Sequence, residues 1–133
     1  MFSFRTKLRL ARGLLARGRH PLYVQFYVTA RCNLTCKQCN IIYANADVGE
    51  VSLPQVEAMA DNLAAIGTGV VLLTGGEPFV RRDLPGIIRA FANRGIHVRT
   101  QTNGLATLDQ LTQAAAAGAR DISISLDSLL PAK

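Results

Sequence analysis

Cys32, Cys36 and Cys39 lie within eight residues, and the chain has no other cysteine. Their C-x3-C-x2-C spacing puts three soft thiolate donors on one short loop. Such a loop suits a cluster held at three corners and left open to chemistry at the fourth. The odd count and tight clustering argue against a disulfide framework of a secreted domain. A reducing cytoplasm fits better, with the thiols as metal ligands or a redox site. A zinc site would need a fourth ligand, and the candidates are His20 and His97. Each falls before or at the start of an expected strand, at the end away from the cysteines. Zinc is therefore the weaker option, and both histidines read as surface or packing residues.

Three further short polar stretches invite attention: Gly75-Gly76-Glu77-Pro78, Thr102-Asn103-Gly104 and Ser125-Leu126-Asp127-Ser128. Each has a plain structural explanation. Pro78 forces Glu77 into extended backbone. Asn103 and Gly104 suit a tight turn. Ser125 and Asp127 can satisfy backbone groups before a following helix.

Their meaning comes from the elements that must position them. Leu22–Thr29, rich in Val, Tyr and Phe, reads as a first strand running into the cysteines. Three units then repeat one grammar. Ser52 with Gln55 forms a helix-start capping box, and Leu53, Val56, Met59, Leu63 and Ile66 give an apolar face. Gly67 stops that helix, and Val70–Leu73 reads as a buried strand. Asp83 and Pro85 start the second helix, Gly95 ends it, and Ile96–Gln101 makes a strand. Thr107 with Gln110 starts the third, Gly118 ends it, and Asp121–Leu126 closes the series. Alternating strands and helices predict a parallel sheet with right-handed crossovers, either doubly wound or a piece of a barrel. In both, sites form at the carboxyl ends of strands, so all four decorated stretches would surround one spot.

Bulk properties bound the rest. The 133 residues allow one domain with one core, and no apolar run is long enough to span a bilayer. The net charge of +6 belongs to residues 1–20, which carry Arg5, Lys7, Arg9, Arg12, Arg17 and Arg19 and no acid. Residues 21–133 hold nine basic and nine acidic side chains. Phe4, Leu8, Ala11 and Leu15 fall at helical spacing, so the arm is expected to be an amphipathic helix packing that stripe on the domain. Contact with nucleic acid or anionic lipid is the weaker alternative, since no aromatic stacking platform or reader motif accompanies the charge. Arg12 and Arg17 interrupt the apolar stretch, which argues against a secretory signal.

The cysteine loop after the first strand, Gly-Gly-Glu-Pro after the second and Ser-x-Asp after the fourth together resemble the radical S-adenosylmethionine (SAM) superfamily. The likeness covers about residues 22–130. It implies an α/β fold in which parallel βα units form about four strands of a partial TIM-type barrel, apparently truncated. A closed eight-unit barrel needs about 250 residues. Residues 1–20 would be a basic helical arm and 21–133 an incomplete core domain. Cys32, Cys36 and Cys39 would bind three irons of a [4Fe-4S] cluster, with SAM on the fourth. Gly75, Gly76 and Glu77 would hold the methionine amino group. Thr102 and Asn103 would lie near the methionyl part, and Ser125 and Asp127 would meet the ribose.

The implied function is reductive cleavage of SAM to a 5′-deoxyadenosyl radical that abstracts hydrogen from an unidentified substrate. The electron would come from a donor such as flavodoxin or ferredoxin. No catalytic side chain beyond the cluster is implied. The sequence departs from the family pattern at Gln38, where many members carry an aromatic residue beside the adenine; Tyr43 is a substitute by position. The competing reading is a non-catalytic metal-binding or interaction module, inactive because the barrel is incomplete.

Overall fold

A computed structural model of the chain describes residues 2–15, 20–40 and 49–126. The elements, in order, are α1 (Phe4–Leu15), β1 (Tyr23–Thr29), α2 (Leu53–Ala65), β2 (Val70–Gly75), a 3-10 turn (Pro78–Val80), α3 (Leu84–Ala92), β3 (His97–Thr102), α4 (Leu108–Ala117) and β4 (Ala119–Ile124). The four strands form one parallel sheet in the order β1-β2-β3-β4. A doubly wound sheet reverses direction at a switch point. Here there is no reversal, so the crossover helices α2, α3 and α4 all lie on one face. That is the architecture of a partial TIM-type barrel.

The two faces of the sheet differ as this requires. Phe26, Val28, Val71, Leu73 and Val98 turn toward the helices and meet Val56, Ala60, Ile87, Ile88, Phe91 and Ala114 in one buried core. The alternate residues form the concave face. There Gln25, Tyr27, Thr74, Arg99, Gln101 and Ser123 stand in register across the strands. Period-two alternation thus gives a mainly apolar outer face and an inner one that is polar except for Val70 and Leu72 at its centre.

Local signals position the helices. At α4, the Gln110 N–H donates to Thr107 Oγ1 at 3.2 Å and the Thr107 N–H to Gln110 Oε1 at 2.9 Å, a full capping box. Gly118 ends α4 at a φ of 112°, which a side chain would resist. At α2, Gln55 Oε1 reaches back to the Ser52 N–H at 2.9 Å. Asp83 does not cap α3 with its side chain. Arg81 takes its carboxylate instead, with Nε donating at 2.8 Å.

Phe4–Leu15 is helical, but the orientation of this helix is the reverse of the expected one. Thr6, at 2% exposure, is buried, and Leu10 and Gly13 lie against Gly69 and Leu22. Phe4 and Leu15, at 79% and 85% exposure, face solvent. The body offers α1 a close approach that suits small and polar groups. Ser3 Oγ accepts from the Thr6 N–H, and Arg9 donates to the Thr68 carbonyl. The apolar stripe is therefore left outside.

Candidate functional site

β1 leaves the sheet at Thr29 and enters the cysteine loop through Ala30 and Arg31. This stem lies against the exit of β2. The Gly76 N–H donates to the Thr29 carbonyl and the Glu77 N–H to the Arg31 carbonyl, each at 2.9 Å. The approach is so close that a Cβ at Gly75 would strike the Thr29 carbonyl oxygen, and one at Gly76 would strike that of Arg31. Gly75 also holds a φ of 131°. The two glycines are thus required by the packing of one strand exit on the next.

Gly76→Ala is accordingly expected to push the loop stem outward. The clash is with backbone, which cannot rotate away, so a stability loss of about 1–3 kcal/mol is expected. Denaturant unfolding measures it, and metal loading of the three thiols should fall in the same variant.

Glu77 is 1% exposed. Its carboxylate turns into the protein. Oε1 accepts from the Phe79 N–H at 3.0 Å, Oε2 from the Asn103 N–H at 2.7 Å, and the Thr102 hydroxyl donates to both at 3.1 Å. The residue that the sequence pattern assigns to a ligand ammonium here joins the exit of β2 to that of β3. Asn103 extends the link, since its Nδ2 donates to Asn33 Oδ1 at 2.7 Å and lies 3.9 Å from Cys32 Sγ. Beyond β3, the Ser125 N–H donates to the Thr102 carbonyl at 2.8 Å, and Ser125 Oγ accepts from Gln101 Nε2 at 2.8 Å. Cys32, Gly76, Glu77, Thr102, Asn103 and Ser125 therefore form one connected set at the carboxyl end of the sheet. Asp127 and Tyr43 lie outside the described residues.

All three cysteines are free and partly buried. Cys36 and Cys39 share a turn closed by the Cys39 N–H on the Cys36 carbonyl at 3.0 Å. The Leu34 N–H points at Cys32 Sγ, 3.4 Å away. Such N–H···S contacts tune thiolate ligands of iron–sulfur clusters. Among the described residues, no three His, Cys, Asp or Glu side chains gather around one point as a metal-ion site. The thiols share a loop without converging on a common centre. The donor set itself, three thiols on a backbone-supported loop, fits an iron–sulfur cluster. His97 lies at the opposite end of the sheet, buried and 2.8 Å from Asp121 Oδ2, so it is no zinc ligand to these cysteines.

A charged network that sequence reading did not single out fixes both stems of the loop. Arg31 donates to Glu50 through Nε at 2.7 Å and Nη2 at 3.0 Å. Arg81, with a side chain only 3% exposed, donates to the carbonyls of Val28 at 2.8 Å and Val51 at 3.1 Å. It thereby ties the residues before the cysteine loop to those after it. The Arg-x-Asp spacing of Arg81 and Asp83 was the available signal, but nothing in it points to Val28 or Val51.

The same pairs predict acid sensitivity. The hydrogen bond from Arg81 holds the Asp83 carboxyl below its ordinary 3.8, against partial burial that pushes it up. The hydrogen bond from Arg31 does the same for Glu50 below 4.5. A folded-state value below the unfolded one adds stability that is complete above the unfolded value. That stability is lost as pH falls through the folded one. Thermal unfolding midpoints should therefore be level near neutrality and drop below about pH 4. Asp83→Asn should lower the level part and flatten the drop.

A parallel half-barrel whose first strand feeds a loop of three free thiols, with decorated strand ends packed around it, gathers these groups at the carboxyl end of a TIM-type sheet. The chain belongs to the Radical SAM superfamily, whose family pattern matches residues 26–132. Members of this family are enzymes, and membership implies a [4Fe-4S] cluster and SAM as cofactors. The chain is 34% identical over 121 residues to a GTP 3′,8-cyclase of Peptoclostridium acidaminophilum, covering 87% of this chain and 37% of that protein. It is 32% identical over 116 residues to an AdoMet-dependent heme synthase of Methanosarcina barkeri, covering 86% and 33%. It thus spans about a third of the length of these curated relatives.

Among solved structures, BtrN in complex with AdoMet and 2-DOIA superposes with a TM-score of 0.70 at 18% identity, over 80% of this chain and 46% of that one. Streptococcus suis SuiB bound to precursor peptide SuiA also gives 0.70, at 21% identity, over 94% and 28%. These likenesses establish the partial-barrel fold.

Proposed function

We propose that this chain is the cofactor-binding part of a radical SAM enzyme, with Cys32, Cys36 and Cys39 as the three protein ligands of a [4Fe-4S] cluster. The observation that supports this most is the direct link from the cysteine loop to the β3 exit, Asn33 to Asn103, with Asn103 in turn held by Glu77. When bound and reduced, the cluster supplies the electron that splits SAM into methionine and a 5′-deoxyadenosyl radical. The chain's own contribution is positioning. Gly75 and Gly76 let the loop stem lie on the β2 exit. Thr102 and Asn103 stand beside that stem for the methionyl part of SAM. Ser125 presents a hydroxyl, exposed at the end of β4, for the ribose, and Asp127 is assigned there by its place in the motif.

Gln25, Tyr27, Arg99, Gln101 and Ser123 on the concave face give a polar surface toward which a hydrogen-bonding substrate would be oriented. The relatives named as cyclase and heme synthase act on different molecules, so the shared motif reports on SAM and not on the target. Flavodoxin or ferredoxin suits the electron supply, and the free thiols suit a cytoplasmic setting. Among the described residues no helix is long and apolar enough to cross a membrane.

The test is anaerobic reconstitution with iron and sulfide, followed by reduction in the presence of SAM. A brown protein with iron–sulfur absorption that releases 5′-deoxyadenosine is expected. A colourless protein holding a single zinc would overturn the proposal. A fully loaded cluster that releases no 5′-deoxyadenosine would instead favour the non-catalytic module.

A further inference from the structure

We propose that α1 is a docking helix for an anionic phospholipid surface. At 3.6 residues per turn, Phe4, Leu8, Ala11 and Leu15 share a sector of about 60°. That sector is open to solvent, with Phe4 79%, Leu8 41% and Leu15 85% exposed, although Phe4 and Leu8 also border clefts beside Gly95 of the body. Arg5 and Arg12 border the stripe on one side, and Lys7 on the other; all three are exposed. The opposite side of the helix is already in use. Thr6 is buried, Arg9 donates to the Thr68 carbonyl, and Leu10 and Gly13 rest on Gly69 and Leu22. The helix is therefore fixed in rotation, with its apolar stripe outward by construction.

Charge selects the occupant. Residues 1–20 carry six cations and no acid. A convex row of Phe and Leu rimmed by Arg and Lys is the pattern of helices that lie in the headgroup region of anionic bilayers. Arg5 and Arg12, with Leu8, also line a depression of about 350 Å³ beside the helix, of a size to admit a phosphate headgroup; its other arginines are already engaged, Arg94 by Asp61 and Arg9 by the Thr68 carbonyl. The placement is also compatible with the cofactor site. α1 contacts Thr68, Gly69 and Leu22, at the amino ends of the strands, while the cysteine loop lies at their carboxyl ends. A membrane on α1 leaves the cysteine loop open to solution.

The experiment is co-sedimentation of the 133-residue chain with vesicles of phosphatidylcholine alone or mixed with phosphatidylglycerol. Binding to the mixed vesicles only, weakened by salt, is expected. Leu8→Glu combined with Leu15→Glu should abolish it while circular dichroism stays unchanged, since both positions are exposed. Arg5→Gln should weaken it about fivefold, the share of one surface cation. Equal binding to neutral vesicles, or binding indifferent to the Leu8→Glu and Leu15→Glu pair, would overturn the proposal. So would a chain that ignores lipid but self-associates through the stripe, measured as a dimer in ultracentrifugation that the same pair of substitutions dissolves.

Discussion

Alanine at any one of Cys32, Cys36 and Cys39 is expected to remove the iron–sulfur absorption of the reconstituted chain and all release of 5′-deoxyadenosine. Three protein thiolates are the minimum for a cluster whose fourth iron is left for SAM. Losing one leaves two adjacent irons without protein ligands, and the other two thiols are on the same short loop with no spare cysteine nearby. Mutating groups that merely support a metal ligand costs about 10–100-fold in affinity, and removing a ligand outright costs more.

The structure supplies the matched control. Asn103→Ala removes the bond to Asn33 and the amide beside Cys32 Sγ, yet leaves every thiol in place. It should fall in the 10–100-fold class, and side-by-side iron and sulfide analysis of the two variants separates ligand from support. If one cysteine variant retained a full cluster with its visible absorption, that cysteine would not be a ligand.

The second large effect is expected at Glu77. Its carboxylate, almost wholly buried, accepts from two backbone N–H groups and one hydroxyl. Glu77→Ala leaves these donors unpaired in the interior, each at a cost of about 1–3 kcal/mol. The sum is a large part of the roughly 5–15 kcal/mol that holds a typical domain together. Glu77→Gln keeps one acceptor but turns an amide N–H2 toward a backbone donor, so about 2–4 kcal/mol is expected.

Denaturant unfolding of the cofactor-free chain decides between two roles. A clamp between the β2 and β3 exits predicts that Glu77→Gln lowers the unfolding midpoint without any ligand present. A residue that only meets the amino group of SAM predicts an unchanged midpoint and a loss confined to SAM binding. The bonds to Phe79, Thr102 and Asn103 favour the first outcome.

Much of the fold was legible because its signals are local. The capping residues Ser52 and Thr107, the stop at Gly118 and the apolar run at Val70–Leu73 act within a few residues of themselves. Strand and helix order follows from them almost without reference to the rest of the chain. The start of β4 lies two residues earlier than expected, since Ala119 pairs with Val98 of β3 and Arg120 fills the register shift before Asp121, a partnership that local propensity does not register. Asp83 starts α3 as its position before Leu-Pro suggests, yet its carboxylate does not cap the helix. Two residues upstream, the buried guanidinium of Arg81 competes for the same carboxylate and wins, as a charge-assisted bidentate pair should.

By itself the sequence determined the three-thiol donor set, the βα grammar and the carboxyl-end location of the decorated stretches. Spacing along a chain fixes what neighbours can do together. The tertiary structure decided the sheet order, the inward turn of the Glu77 carboxylate, the bridging of the loop stems by Arg81, and the side of α1 that faces out. Each depends on residues far apart in sequence. Arg81 and Val28 are separated by 53 positions. The rotation of α1 is set by how closely Gly13 and Leu10 approach Leu22 and Gly69. Helical periodicity fixes an apolar stripe but not its direction, because direction is a property of the surface it meets.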